Sequence, residues 1–87
     1  MTRREQWRPV LDAEVKRWSA MSLEELISAL LEDQIYEVEF ESRKYQIEVQ
    51  LLEKTPGYVH VSVTVDDGSL PASLVPLTSD FIVQREG

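Results

Sequence analysis

The chain has no cysteine among its 87 residues. This absence excludes a disulfide framework, a thiolate nucleophile and a cysteine-based zinc site. A protein without cysteine also fits a reducing compartment, so we expect a cytoplasmic location.

Long hydrophobic runs are also missing. No segment approaches the roughly 18–20 continuous apolar residues of a membrane span, and no apolar stretch follows the N-terminus as in a signal peptide. The length allows one domain over residues 1–87 rather than two. The composition, 43% hydrophobic and 29% charged, is typical of a folded chain with a thin core.

Basic residues are few, and they are unevenly placed. The formal net charge is −7; residues 1–20 carry five basic residues against three acids, whereas residues 21–87 carry four against thirteen. An acidic body repels phosphate backbones, which argues against nucleic-acid binding. The sequence therefore favours a protein partner or self-association, with neither nucleic acid nor a membrane as partner.

Three runs between Tyr36 and Asp66 alternate between apolar and polar residues. They are YEVEFE at residues 36–41, YQIEVQL at residues 45–51 and VHVSVTV at residues 59–65. Because alternate side chains of a strand point to opposite faces, this pattern predicts an antiparallel sheet with one apolar and one polar face. Phe81-Ile82-Val83 is a further short strand candidate for one sheet edge.

Two helices are predicted before the sheet. Proline is favoured at the first helical position, so the first helix is expected to begin near Pro9, with residues 1–8 as a loose arm. Ser22 and Glu25 have the spacing of a capping box, which predicts the start of the second helix. The predicted fold class is α+β: one or two N-terminal helices packed on one face of a three- to four-stranded antiparallel β-meander, ending in a frayed tail at residues 84–87.

The length of each loop between strands can be tested, because opposed residues of an antiparallel pair lie on the same face of the sheet. A loop length is acceptable only if it sets apolar residues of one strand opposite apolar residues of the next; we call this the parity rule. A two-residue loop at Ser42-Arg43 satisfies this rule and would set Glu37 opposite Glu48. The next connection requires an odd loop, such as Thr55-Pro56-Gly57, or a bulge at Leu51-Leu52. We expect Gly57 to supply a left-handed conformation in that loop.

No catalytic, metal-binding or cofactor-binding constellation can be recognised in the sequence. His60 is the single histidine and could act as a general base beside Glu48 or Ser62, but the spacing predicts only a shared face. The glutamates of the polar face are interpreted as solvated side chains rather than acid/base pairs. Trp18 is expected in the core, whereas Trp7 could serve either the core or a partner. The candidate partner-binding residues are Glu37, Glu39, Glu48, His60, Trp7, Leu74 and Val75.

Three functions remain open from the sequence. The first is a non-enzymatic protein-interaction module, with a second copy as one form of partner, which would meet the acidic sheet face or the apolar segment 70–76. The second is a small acidic inhibitor, chaperone or immunity-type protein that covers a basic site on another protein. The third is a small ligand binder or enzyme with a pocket between helix and sheet.

Overall fold

The computed structural model describes residues 3–68 and 76–85, and it confirms the α+β fold. Two N-terminal helices lie on one face of a four-stranded antiparallel sheet whose strands follow chain order, β1-β2-β3-β4. The elements are α1 (Arg3–Ser19), α2 (Leu23–Ala29), β1 (Gln34–Phe40), β2 (Arg43–Lys54), β3 (Tyr58–Asp66) and β4 (Leu77–Gln84).

The first helix begins six residues earlier than predicted, because α1 starts at Arg3 and carries Pro9 in its interior. The expected loose arm is therefore wrong from residue 3 onward. An interior proline costs roughly 3 kcal/mol. Burying the indole of Trp7, which is 1% exposed, removes roughly 200 Å² of surface and contributes about 5 kcal/mol, enough to offset that cost.

The second helix begins as predicted. The Ser22 hydroxyl accepts a hydrogen bond from the Glu25 amide at 3.1 Å, and the Glu25 carboxylate accepts one from the Ser22 amide at 3.0 Å. These bonds also hold the pKa of Glu25 below its usual value. The helix is short and ends at its C-cap Leu30, and the next residue, Leu31, is 78% exposed.

The core lies between the helices and the inner face of the sheet. The four inward valines of β3 are fully buried, and α1 packs across β3 and β4 while α2 packs on β3. Trp18 is 6% exposed, which confirms its predicted place in the core. The buried apolar residues are Trp7, Val10, Leu11, Trp18, Leu23, Leu26, Leu30, Tyr45, Ile47, Val49, Val59, Val61, Val63 and Val65.

The first hairpin differs from its predicted register by two residues. Glu39 lies opposite Lys44 and Glu37 opposite Gln46, so the loop is Glu41-Ser42 and Glu37 does not face Glu48. Glu41 and Ser42 have φ angles of 52° and 66°. Positive φ at both loop positions is the geometry of a type I′ turn, which matches the twist of the strands without the usual glycine.

The second connection confirms the parity prediction. Leu51 lies opposite Val61, and the register shifts between Leu51 and Glu53, which places the bulge at Leu52. The predicted left-handed role of Gly57 is wrong, since Gly57 is not among the residues with positive φ. The Thr55 hydroxyl instead organises the turn by accepting bonds from the amides of residues 57 and 58 at 3.1 and 3.0 Å.

The end of β4 is held in place rather than frayed. The Arg85 amide donates to the Gly57 carbonyl at 2.8 Å, and its guanidinium contacts the Pro56 carbonyl and the Glu24 carboxylate at 2.7 and 2.9 Å. The predicted tail is therefore wrong for residues 84 and 85, and residues 86 and 87 lie outside the described chain.

The strained first turn generates a stability prediction. A non-glycine residue in the left-handed region costs roughly 1–2 kcal/mol, part of which glycine returns as unfolded-state entropy. We expect Ser42→Gly to raise the free energy of unfolding by about 0.5–1 kcal/mol in urea denaturation. Arg43→Gly, at the first residue of β2, is the matched control. It is expected to be destabilising, because Arg43 has no positive φ and glycine weakens a strand. Equal effects of the two substitutions would contradict the assignment of strain to Ser42.

Candidate functional site

No described helix covers the sheet face opposite α1 and α2, and we call it the open face. Its outward residues are exposed on β1 and β4, whereas those on β3 are half-buried or, at Ser62, buried. The open face consists of the outward residues of the four strands, and the helices cover the other face. Its residues are Ile35, Glu37, Glu39, Lys44, Gln46, Glu48, Gln50, Glu53, Tyr58, His60, Ser62, Thr64, Asp66, Thr78, Asp80, Ile82 and Gln84. The structure thus brings Glu37, Glu39, Glu48 and His60 of the predicted set onto one surface.

Carboxylates gather at one end of the open face. Glu37 and Asp66 both lie opposite Gln46, from β1 and β3 respectively, and Glu48 follows two residues along β2. We call Glu37, Glu48 and Asp66 the acidic end. Within the described chain, no group of three or more carboxylate or histidine side chains could hold a metal ion. The acidic end is therefore a surface charge, without a chelating geometry.

His60 and Asp80 form a cross-strand pair on the same face. Their side chains contact each other at 2.5 Å between Nε2 and Oδ2, and Ser62, 7% exposed, lies directly opposite Asp80. A nucleophilic serine needs a hydrogen bond to its base. No such bond joins Ser62 to His60 among the described residues, whereas the His60 ring is bonded to the carboxylate. This geometry supports a structural cross-strand pair rather than a serine nucleophile.

The remaining predicted residues are not part of this surface. Trp7 is 1% exposed and belongs to the core, so the structure does not support its predicted contact with a partner. Its Nε1 has no hydrogen-bond partner among the described residues. Leu74 and Val75 lie outside the described residues.

Sequence reasoning missed a polar cluster between α1 and β1. The hydroxyl of Tyr36 donates to the buried carboxylate of Glu14 and accepts from Trp18 Nε1 at 2.8 Å. Arg17 Nη1 lies 3.4 Å from the same carboxylate, and its guanidinium sits 5.8 and 5.6 Å from the ring centroids of Trp18 and Tyr36. Burial, together with the bond to Glu14, raises the pKa of Tyr36 to about 12.

A signal for this cluster was present in the sequence. Glu14 falls three residues after Leu11 and four before Trp18, on the apolar stripe of α1. A carboxylate in such a stripe must find a donor when it is buried. The hydroxyl of an inward tyrosine on the neighbouring sheet could have been proposed as that donor.

A cleft of about 430 Å³ opens at the margin between the helix–helix turn and the end of β4. Glu25 of its lining is used by the capping box, and Glu24 pairs with Arg85. The helix–sheet interface itself is filled by the apolar core. The cleft therefore lies at the edge of the fold and not in the predicted place between helix and sheet.

Comparison with protein-family models, curated proteins and solved structures gives no match to the chain. In the described part of the chain, no helix combines the length and apolar character that a membrane crossing requires. The class that the structure defines is a small two-layer α+β protein in which the described helices cover one face of the sheet.

The buried cluster predicts a specific loss of stability. Tyr36→Phe removes the donor to Glu14 and leaves a buried carboxylate short of one hydrogen bond, which should cost about 1–3 kcal/mol of unfolding free energy. Tyr58→Phe is the matched control, because the Tyr58 hydroxyl contacts the Glu53 carboxylate at 2.6 Å on the exposed surface. Equal losses in the two variants, measured by urea denaturation, would contradict the role assigned to the cluster.

The same cluster predicts the alkaline stability profile. The pKa of Tyr36 is raised from 10 in the unfolded chain to about 12 in the folded one, so the neutral phenol stabilises the fold. This contribution is fully present below pH 10 and is lost as the pH rises from 10 to 12. Unfolding free energy measured across this range should fall in the wild type and fall less in Tyr36→Phe. Identical slopes would show that Tyr36 does not titrate as assigned.

Proposed function

We propose that this protein is a small, non-enzymatic, cytoplasmic interaction module whose open face binds a basic surface on a protein partner. The observation that carries the proposal is the one-sided arrangement of the fold. The described helices cover one face of the sheet, and carboxylates concentrate at one end of the opposite face.

Charge complementarity indicates the chemistry of the partner. The open face carries six acids, Glu37, Glu39, Glu48, Glu53, Asp66 and Asp80, while Lys44 is its one lysine or arginine. Lys44 lies opposite Glu39, so the acidic end has no cation directly across from it in the sheet. Such a face attracts lysine and arginine side chains, increases the association rate and gives binding that weakens as salt screens the charges.

An acidic inhibitor, chaperone or immunity-type protein is a specific form of the same proposal. In that form the open face would cover a basic functional site, and its binding would depend on salt in the same way. The ligand-binding alternative is less well supported, because Glu24, Glu25 and Arg85 of the marginal cleft already bond to other protein groups.

The proposal is tested with immobilised full-length protein. Partners captured from native lysate are identified by mass spectrometry, and the recombinant partner is then titrated at low and high salt. The double variant Glu37→Lys/Glu48→Lys is expected to weaken binding by at least about tenfold, because both substitutions place like charges against the partner's cations.

The matched control is Asp12→Lys/Glu24→Lys, which makes the same change in net charge on exposed positions of the two helices. It should bind like the wild type. Equal weakening by the two double variants, or binding that is insensitive to salt, would refute the open face as the binding surface. Circular dichroism of each variant checks that the fold is retained.

A further inference from the structure

The two edge strands of the sheet differ in how they are protected from pairing. β1 presents Glu37 and Glu39, and charged side chains are a common means of blocking edge-to-edge association. β4 has one charged residue, Asp80, whose carboxylate is already bonded to His60. β4 also pairs with β3 over eight residues without a register shift, so no bulge protects this edge.

The backbone groups on the outer side of β4 can be assigned from one hydrogen bond. The Arg85 amide donates to the Gly57 carbonyl, and hydrogen-bonded residues alternate along an antiparallel pair. The odd-numbered residues of β4 therefore bond to β3, and the even-numbered residues direct their N–H and C=O groups outward. Among the described residues, no backbone or side-chain group bonds to these outward groups.

Apolar side chains flank this edge on both faces. Ile82 is 55% exposed on the open face, whereas Phe81 and Val83 are half-buried on the helix side. An edge that combines free backbone groups with apolar side chains and little charge is a template for a further strand.

We propose that β4 pairs with β4 of a second copy of the chain and joins the two sheets into one of eight strands. A symmetric antiparallel pair of edges has its two-fold axis perpendicular to the sheet, so both helix layers lie on the same side. Residues that lie opposite each other across this interface must then be on the same face of the sheet. Because faces alternate along β4, such residues are both even-numbered or both odd-numbered, so the sum of their residue numbers is even.

Charge selects among the even registers. The residue at the two-fold axis lies opposite its own counterpart in the second copy. With Asp80 at the axis, the two Asp80 carboxylates would face each other, and with Phe81 at the axis they would be diagonal neighbours. With Ile82 at the axis, the exposed Ile82 side chains of the two copies face each other. Phe81 then lies opposite Val83 of the second copy, and Asp80 lies opposite Gln84. This register pairs the outward backbone groups in three hydrogen-bonded pairs, giving about six interchain hydrogen bonds. A second copy is thus complementary to β4 in backbone groups and side chains, and this register places no like charges opposite each other.

The first test is the oligomeric state of the full chain. Sedimentation equilibrium over a wide concentration range should give a dimer that dissociates on dilution. Ile82→Lys should weaken the dimer by about 100-fold or more, since it removes apolar contact from both copies and opposes two cations. Ile35→Lys is the matched control on the opposite edge, where Ile35 is 59% exposed on the same face, and it should leave the dimer intact.

The second test uses the absence of cysteine. Opposed residues of a hydrogen-bonded antiparallel pair have Cα atoms about 5.5 Å apart, within disulfide range. Ile82→Cys should therefore yield a covalent dimer on mild oxidation, and Ile35→Cys should not. A monomeric wild type at all concentrations, or equal cross-linking at the two positions, would overturn the proposal. Both tests are independent of any partner at the open face.

Discussion

One-sided burial of β3 is the constraint on which the rest of the structure depends. Its valines at positions 59, 61, 63 and 65 are completely buried beneath the helices, while the residues between them belong to the open face. A slip of one residue would expose all four valines, so the alternation fixes which face the helices cover. The location of every exposed carboxylate on the sheet follows from that choice.

The parity rule predicted much of the sheet, because shifting one strand by an odd number of residues sets its apolar side chains opposite polar ones. It correctly required a bulge or odd loop after Leu51, where an even loop would have faced valine against serine. It cannot distinguish registers that differ by two residues, since both keep core against core. The register of the first hairpin therefore depends on its turn. Glu41 and Ser42 are not the residues that usually form a type I′ turn, so the sequence did not indicate this turn.

The start of α1 illustrates how tertiary burial overrides a local signal. Proline in a helix interior is strongly unfavourable, but this cost is opposed by the burial of Trp7, which lies two residues before Pro9. The sequence alone gives no means of weighing the two, because the depth of the tryptophan depends on the sheet beneath it. The capping box of α2 was predictable for the opposite reason, since all its bonds join residues three positions apart.

The candidate surface was predictable as a face but not as an arrangement. Alternation placed Glu37, Glu39, Glu48 and His60 together, whereas the pairing of His60 with Asp80 depended on the position of β4, which the pattern left undefined. The position of Glu14 in the apolar stripe of α1 signals a buried carboxylate, but the bond to Tyr36 depends on how β1 lies beneath the helix, which the sequence pattern does not give.

The Tyr36 hydroxyl has a consequence for local unfolding. The inward side chains Tyr36, Val38 and Phe40 of β1 are only half-buried against the core, and Tyr36 adds its polar contacts with Glu14 and Trp18. A strand held in this way can open at a lower free energy than the whole domain. Such opening would remove Glu37 from the acidic end while the core stays folded. A partner bound at that end would close β1, and its affinity would be linked to a hydrogen bond on the opposite face of the sheet.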